Sequence, residues 1–171
     1  MIKTVKKIYK KIFWSNEKYA RNLGVNIGKN CSIGKCSFGS EPYLVSIGDH
    51  VQVTKGVSFF THTGGWLFRN EHPHFDCFGK IIVKDDVYIG NNVIILPGVT
   101  IAKNVIIGAG AVVTKSVSEN SIVGGNPAKK IGDVNELKKR LIPYNLNTKG
   151  LNFNDKKDVL LSTKEDFFIF K

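Results

Sequence analysis

Cysteine is scarce in this sequence: 171 residues hold three, Cys31, Cys36 and Cys77. An odd number without metal-ligand spacing fits a reducing cytoplasm and argues against a disulfide framework. Long apolar runs are missing as well. No uninterrupted stretch approaches the ~18–20 residues of a transmembrane helix. The basic N-terminus is not followed by the apolar segment of a secretory signal. Acidic residues are the third shortage, with 14 Asp and Glu against 25 Lys and Arg and a formal net charge of +11. That imbalance is local. Residues 1–22 hold seven basic side chains against one Glu, residues 23–132 ten against seven, and residues 133–171 eight against six. Charge of this kind suits nucleic acid. No helix-turn-helix, zinc finger or aromatic RNA-binding signature accompanies it, so no nucleic-acid partner is expected.

What is present is a period. Positions 27, 33, 47, 53, 59, 83, 89, 95, 101, 107 and 113 are all apolar: Ile, Ile, Ile, Val, Phe, Val, Ile, Ile, Ile, Ile, Val. Four residues after each stand Cys31, Ser37, Val51, Val57, Thr63, Val87, Val93, Val99, Val105, Ala111 and Val117, none charged and most small or β-branched. Neither the 3.6-residue helical period nor plain strand alternation produces this register. A coil of very short strands does, with two inward columns per hexad separated by a corner. The corner column, three residues after each start, reads Asn30, Cys36, His50, Gly56, His62, Asp86, Asn92, Gly98, Asn104, Gly110 and Ser116. Gly, Asn and Asp dominate it, the residues that tolerate tight turns and positive φ. A parallel β-helix of stacked coils is expected over residues 23–132.

Two interruptions break the period. Ile33 and Ile47 are two residues further apart than two hexads, and Glu41-Pro42-Tyr43 marks an excursion there. Phe59 and Val83 are in phase, but the repeat pattern fails between them. An external loop is expected at about 64–80, leaving the coil at a corner and rejoining it in register.

At this point the chain resembles the hexapeptide-repeat acyltransferases, which form a left-handed parallel β-helix. The likeness is carried by Val87-Tyr88-Ile89-Gly90, by Ile95-Leu96-Pro97-Gly98-Val99-Thr100-Ile101, and by Ile107-Gly108-Ala109-Gly110 onward to Gly124-Gly125-Asn126-Pro127-Ala128-Lys129. It is similar to the sugar, capsule and lipopolysaccharide O-acetyltransferase branch. The resemblance implies acetyl-CoA as co-substrate, no metal, and a homotrimer with active sites between subunits. It also implies a cytoplasmic location.

Outside the coil, residues 1–22 are read as an N-terminal helical cap. Ile2, Val5, Ile8, Ile12 and Phe13 share a helical face, with Lys3, Lys6, Lys7, Lys10 and Lys11 elsewhere. Such a face either packs over the first coil or rests, through residues 1–14, on the inner face of an anionic membrane. Residues 133–171 are read as a helical tail, with one short helix over Val134–Leu141 and a second capped by Asn154 and running to Leu161.

Several apparent motifs fail. Gly28 to Lys35 mimics a P-loop with one residue too many, and Gly108-Ala109-Gly110 lacks the third glycine of a dinucleotide fingerprint. Cys31 falls in an inward column, Cys36 at a corner and Cys77 in the loop, and none has a local activating group.

Three of the four histidines, His62, His72 and His74, fall in the broken stretch. Gamma-type carbonic anhydrases share this architecture and use three histidines on zinc, but the spacing here does not resemble theirs. His50 reads as a turn residue. His62 stands at a corner where the side chain points out of the core, at the start of the loop, and it matches the histidine the acyltransferases use as general base. Transfer from a thioester to a sugar hydroxyl needs such a base. Relatives often carry His-Asp-Gly-Gly at this point, whereas this chain has His62-Thr63-Gly64-Gly65. A backbone carbonyl or another carboxylate would then orient the ring, with Glu71, Asp76 and Asp86 as candidates. By resemblance, Tyr88, Ala109, Gly110, Thr114, Lys115 and Lys129 contact coenzyme A. Trp66, His72 and His74 are expected to contact the acceptor. The aromatic loop suits a saccharide, yet equally suits loop anchoring. A xenobiotic acceptor, a zinc enzyme of the carbonic anhydrase kind and a non-catalytic trimeric scaffold are the alternatives.

Overall fold

Strands of two to five residues, each followed by a corner, make up most of the chain. The structure is a computed structural model and describes residues 14–170. Residues 1–13 of the segment read as a cap or membrane contact lie outside those residues, and the part of the cap from Trp14 onward is described. A short helix, α1 (Asn16–Leu23), comes first, capped by the Ser15 hydroxyl and ended by Gly24 at φ 106°. Its Arg21 reaches the Ile27 and Gly28 carbonyls and is held by Glu17 at 2.8 Å, which ties the helix to the first coil.

The strands then run β1 (Asn26–Ile27), β2 (Ser32–Ile33), β3 (Val45–Ile47), β4 (Gln52–Val53), β5 (Ser58–Phe59), β6 (Ile81–Val83) and β7 (Val87–Ile89). They continue as β8 (Ile94–Ile95), β9 (Thr100–Ile101), β10 (Val105–Ile107), β11 (Val112–Val113), β12 (Ser121–Gly124) and β13 (Lys129–Asp133). They stack into three sheets, ordered β1-β3-β6-β9, β13-β12-β10-β7-β4-β2 and β11-β8-β5. Every pairing is parallel except that of β12 with β13. This is the expected parallel β-helix, each coil placing one strand on each of three faces. After β12 the chain turns back through Gly125 and the cis Asn126–Pro127 bond, and β13 closes the end of the stack.

The core is the two apolar columns read from the sequence. Ile27, Ile47, Val53, Phe59, Val83, Ile89, Ile95, Ile101 and Ile107 are buried, as are Val51, Val57, Val87, Val93, Val99, Val105 and Ala111. Eight of the eleven corner positions adopt positive φ: Asn30, His50, Gly56, Asp86, Asn92, Gly98, Asn104 and Gly110. That conformation excludes β-branched residues and explains the composition of the column.

The first coil departs from the expected register. Ser37 pairs with Ser58, so Phe38 lies under Phe59, their rings stacked at 5.0 Å, and Cys36 takes the inward place beneath Val57. Cys36 is therefore a wall residue rather than a corner residue, and Ser37 is exposed rather than inward. Burial pushes the Cys36 thiol up to about 11, against a smaller lowering from the Val57 backbone. A thiol so placed is a poor nucleophile.

Glycine serves a second purpose where one coil sits on the next. A Cβ on Gly90 would stand 2.6 Å from the Ala109 backbone nitrogen and 2.9 Å from the Ile107 carbonyl oxygen. Neither atom is the end of a flexible side chain. Gly90→Ala is expected to destabilise the protein by about 1–3 kcal/mol through overpacking, read as a lower urea midpoint at unchanged slope. Equal midpoints would show that the coils can separate at no cost.

A second compact unit begins at Asn135. Helix α2 (Val134–Leu141) matches the expected span and carries the Lys139–Glu136 pair at 2.9 Å. Helix α3 (Phe153–Ser162) is capped by Asn152, not Asn154. The Asn152 side chain accepts from the Asp155 N–H at 3.0 Å and donates to its carboxylate at 2.7 Å, a reciprocal arrangement that Asn154 cannot reach. Among the described residues no helix is long and apolar enough to cross a membrane.

Candidate active site

The site is built where the coil gives out. After β5 the chain reaches Thr61, fully buried, then His62, half-buried, and there the loop departs. Its two ends are pinched together. His62 pairs antiparallel with Phe78, the Thr63 N–H donates to the Cys77 carbonyl at 3.2 Å, and the Gly79 N–H donates to the Thr61 carbonyl at 2.8 Å. The loop therefore leaves and rejoins at one place, and β6 resumes in register on β3. His62 is one of the three corner positions without positive φ, because its backbone belongs to this pinch rather than to a turn of the coil.

The loop has a small packing cluster of its own. Phe68 and Phe75 lie 5.0 Å apart, His72 sits 6.4 Å from Phe75, and Gly65 is buried against the Phe75 ring. Phe68 and Phe75 are anchors. Trp66, by contrast, is 81% exposed, and His74 is exposed as well.

One coil below His62 lies the excursion at Glu41. It forms a single turn of 3-10 helix at Pro42–Leu44 and brings the Glu41 carboxylate under the imidazole. His62 Nδ1 is 3.0 Å from Glu41 Oε2, and the Thr61 hydroxyl donates to that same oxygen at 2.6 Å. The side chains are 36% and 15% accessible, so the pair is partly shielded from water. The Thr61 hydroxyl first, then the His62 hydrogen bond, hold the Glu41 carboxyl below its usual range, opposed by desolvation. An ionised carboxylate only accepts, so a neutral His62 carries its proton on Nδ1 and keeps the Nε2 lone pair. Phe78 stands edge-on to the ring at 6.5 Å.

Glu41 is thus the partner of His62, and the three carboxylates named from the sequence are not. Asp86 Oδ1 is 2.7 Å from Nδ1 of the other corner histidine, His50. Asp76 Oδ1 accepts from the Cys77 N–H at 3.2 Å, and Glu71 is exposed on the loop. Thr63, standing where relatives have Asp, is exposed.

The depressed Glu41 carboxyl has a consequence for stability. A group whose folded pKa lies below its unfolded value stabilises the fold above the unfolded pKa, about 4.3 for Glu, and loses that contribution as pH falls through the folded value. The thermal midpoint of wild type is expected to exceed that of Glu41→Gln at neutral pH. The gap should narrow once pH drops below about 4. A gap that stays constant to the acid limit would mean that the carboxylate charge contributes nothing to the fold.

Of the other residues named from the sequence, some lie on a different face, and Thr114 and Lys115 lie on the corner column of His62, two coils along. Tyr88 projects from β7 in the six-stranded sheet, 41% exposed, into a groove of about 440 Å³ that His50, Gln52 and Asp86 also line. Ala109 and Gly110 form the next corner, Thr114 and Lys115 follow β11, and Lys129 is exposed on β13. The structure brings Glu41, Thr61, His62 and Phe78 together. Tyr88 and Lys129 belong to the six-stranded sheet, apart from the sheet whose β5 leads to His62. Among the described residues no three His, Cys, Asp or Glu side chains gather into a group that could hold a metal ion.

A coil of hexads with a loop released beside a carboxylate-held histidine defines a class. The chain belongs to the hexapeptide-repeat acyltransferases, and the family described as bacterial transferase hexapeptide (six repeats) matches residues 80–115. Protein CapG of Staphylococcus aureus is 48% identical over 164 residues, covering 92% of this chain and 95% of that protein. A maltose O-acetyltransferase from Clostridium difficile 630 superposes with a TM-score of 0.56 at 25% identity, covering 77% of this chain and 83% of that one. A hexapeptide-repeat acetyltransferase from Vibrio cholerae, solved with acetyl-CoA, shares the fold with a TM-score of 0.54 at 23% identity, covering 75% and 82%.

Proposed function

We propose that this protein is an acetyl-CoA-dependent O-acetyltransferase acting on a hydroxyl of a sugar or surface polysaccharide, with His62 as general base. The observation that carries the reading is the Glu41–His62 contact at 3.0 Å. It supports the Nδ1–H tautomer, which leaves the Nε2 lone pair for a docked hydroxyl. Nε2 takes the hydroxyl proton as the oxygen attacks the thioester carbonyl. The imidazolium, stabilised by the ionised Glu41, then returns that proton to the departing thiolate. A backbone N–H of an adjacent coil is the natural donor to the tetrahedral oxyanion. No covalent intermediate on the enzyme is needed, which agrees with the raised pKa of Cys36.

Tyr88, Ala109, Gly110, Thr114, Lys115 and Lys129 hold acetyl-CoA in this reading, the small residues admitting the pantetheine arm and the lysines meeting phosphate. Tyr88 lies on a different sheet from His62, whereas Thr114 and Lys115 share its corner two coils along, so in this reading the site is completed between subunits of a homotrimer. Trp66, His72 and His74 lie on the loop side, toward the acceptor. The test is thiol release from acetyl-CoA with a panel of sugars, sugar nucleotides and glycans. Acetyl transfer to at least one saccharide hydroxyl is expected. Transfer to chloramphenicol-type acceptors alone would move the assignment to a xenobiotic enzyme.

A further inference from the structure

We propose that the cleft between α1 and the first coil is a saccharide subsite of the acceptor site, so that the acceptor is a chain of more than one sugar ring. The inference rests on the acetyltransferase reading and adds the acceptor's size. The cleft holds about 640 Å³, within the ~300–1,000 Å³ of small-molecule sites. Trp14, Asn16 and Tyr19 line it from the helix side, and Lys35, Ser37 and Gly39 from the coil side. Aromatic rings beside amide, hydroxyl and ammonium groups suit a sugar, whose C–H faces pack on rings while its hydroxyls take hydrogen bonds. Among the described residues no carboxylate lines the cleft, so Lys35 leaves it receptive to an acidic sugar.

Its position gives it a role. At Gly39, which lines the cleft, a Cβ would stand 3.3 Å from the Thr61 hydroxyl oxygen, the same hydroxyl that donates to Glu41 at 2.6 Å. Glu41 in turn holds His62. Gly39 of the cleft and Glu41 beneath the base therefore adjoin the same buried threonine. A single ring docked at Nε2 leaves the cleft empty, whereas a longer glycan presented to the base reaches it past a residue with no side chain to block the way.

The experiment is calorimetric titration of the full chain with neutral and uronic-acid-containing tetrasaccharides and with their component monosaccharides. At least one tetrasaccharide is expected to bind about tenfold more tightly than its monosaccharide. Asn16→Trp, which fills the cleft, and Lys35→Glu, an exposed change that keeps the fold, are each expected to weaken that tetrasaccharide about tenfold. Tetrasaccharides that bind no better than single sugars, or binding indifferent to both variants, overturn the subsite. Repeating the titration with His62→Ala separates it from the chemistry. Cleft-dependent binding with no acetyl transfer by wild type would sink the acetyltransferase reading and leave the saccharide cleft standing. Transfer to a long glycan that ignores both cleft variants would do the reverse.

Discussion

His62→Ala is expected to lower kcat/KM for acetyl transfer by about 100- to 10,000-fold, the usual contribution of a positioned general base. At 25 °C that is about 3–5 kcal/mol of transition-state stabilisation. The loss should fall on kcat, because the proton is taken only as the oxygen attacks, and ground-state contacts to either substrate involve other groups. The side chain is half-buried and its recorded contacts are Glu41 and Phe78, so its removal opens no cavity in the coil. The variant should therefore unfold close to wild type, and acetyl-CoA binding measured by calorimetry should persist. Steady-state thiol release across pH checks the assignment. Wild-type turnover should depend on pH, and the residual activity of the variant should lack that dependence. Undiminished turnover in His62→Ala would remove the base from the mechanism.

Much of this arrangement was legible because a β-helix writes its three-dimensional period directly into the chain. Two apolar columns and a corner of Gly, Asn and Asp are the fold, and eight corner residues adopt the positive φ their identities suggest. What failed to show was compensated irregularity. In the first coil one corner is a residue short, and the following excursion is longer by three, so the sequence displays only the net surplus of two. The position of Cys36 was misassigned for that reason. Glu41 escaped for a related one. It lies 21 positions before His62, and only the stacking of coils brings it beneath the imidazole. The signal was present in Glu41-Pro42-Tyr43, a carboxylate inside the one interruption that precedes the loop at the same corner. In the loop, composition could not separate the aromatics that anchor from those that face solvent. Packing does separate them, with Phe75 half-buried beneath Phe68 and Gly65 and with Trp66 outward.

The orientation of His62 by Glu41 leads to the second large effect. Glu41→Ala removes the acceptor for Nδ1–H and the charge that favours the imidazolium, and a loss of about 10- to 100-fold in kcat is expected, with KM for both substrates little changed. Glu41→Gln separates the two contributions. Its amide oxygen can still accept from Thr61 and from His62 Nδ1, so orientation survives while the charge is lost. Gln should therefore retain more activity than Ala, by about tenfold if orientation dominates. The split of the kinetic constants supplies the readout that a purely structural role would not give: kcat falls in both variants while KM for acetyl-CoA and for the acceptor holds. Thr61→Val gives an independent check. The hydroxyl donates at 2.6 Å to the oxygen that faces His62, and its loss should relax the carboxylate's depressed pKa without touching the imidazole. Its effect on kcat should be smaller than that of Glu41→Gln, because the ring keeps its partner. If Glu41→Ala and wild type share one kcat, the carboxylate is an anchor for the excursion and takes no part in the chemistry of His62.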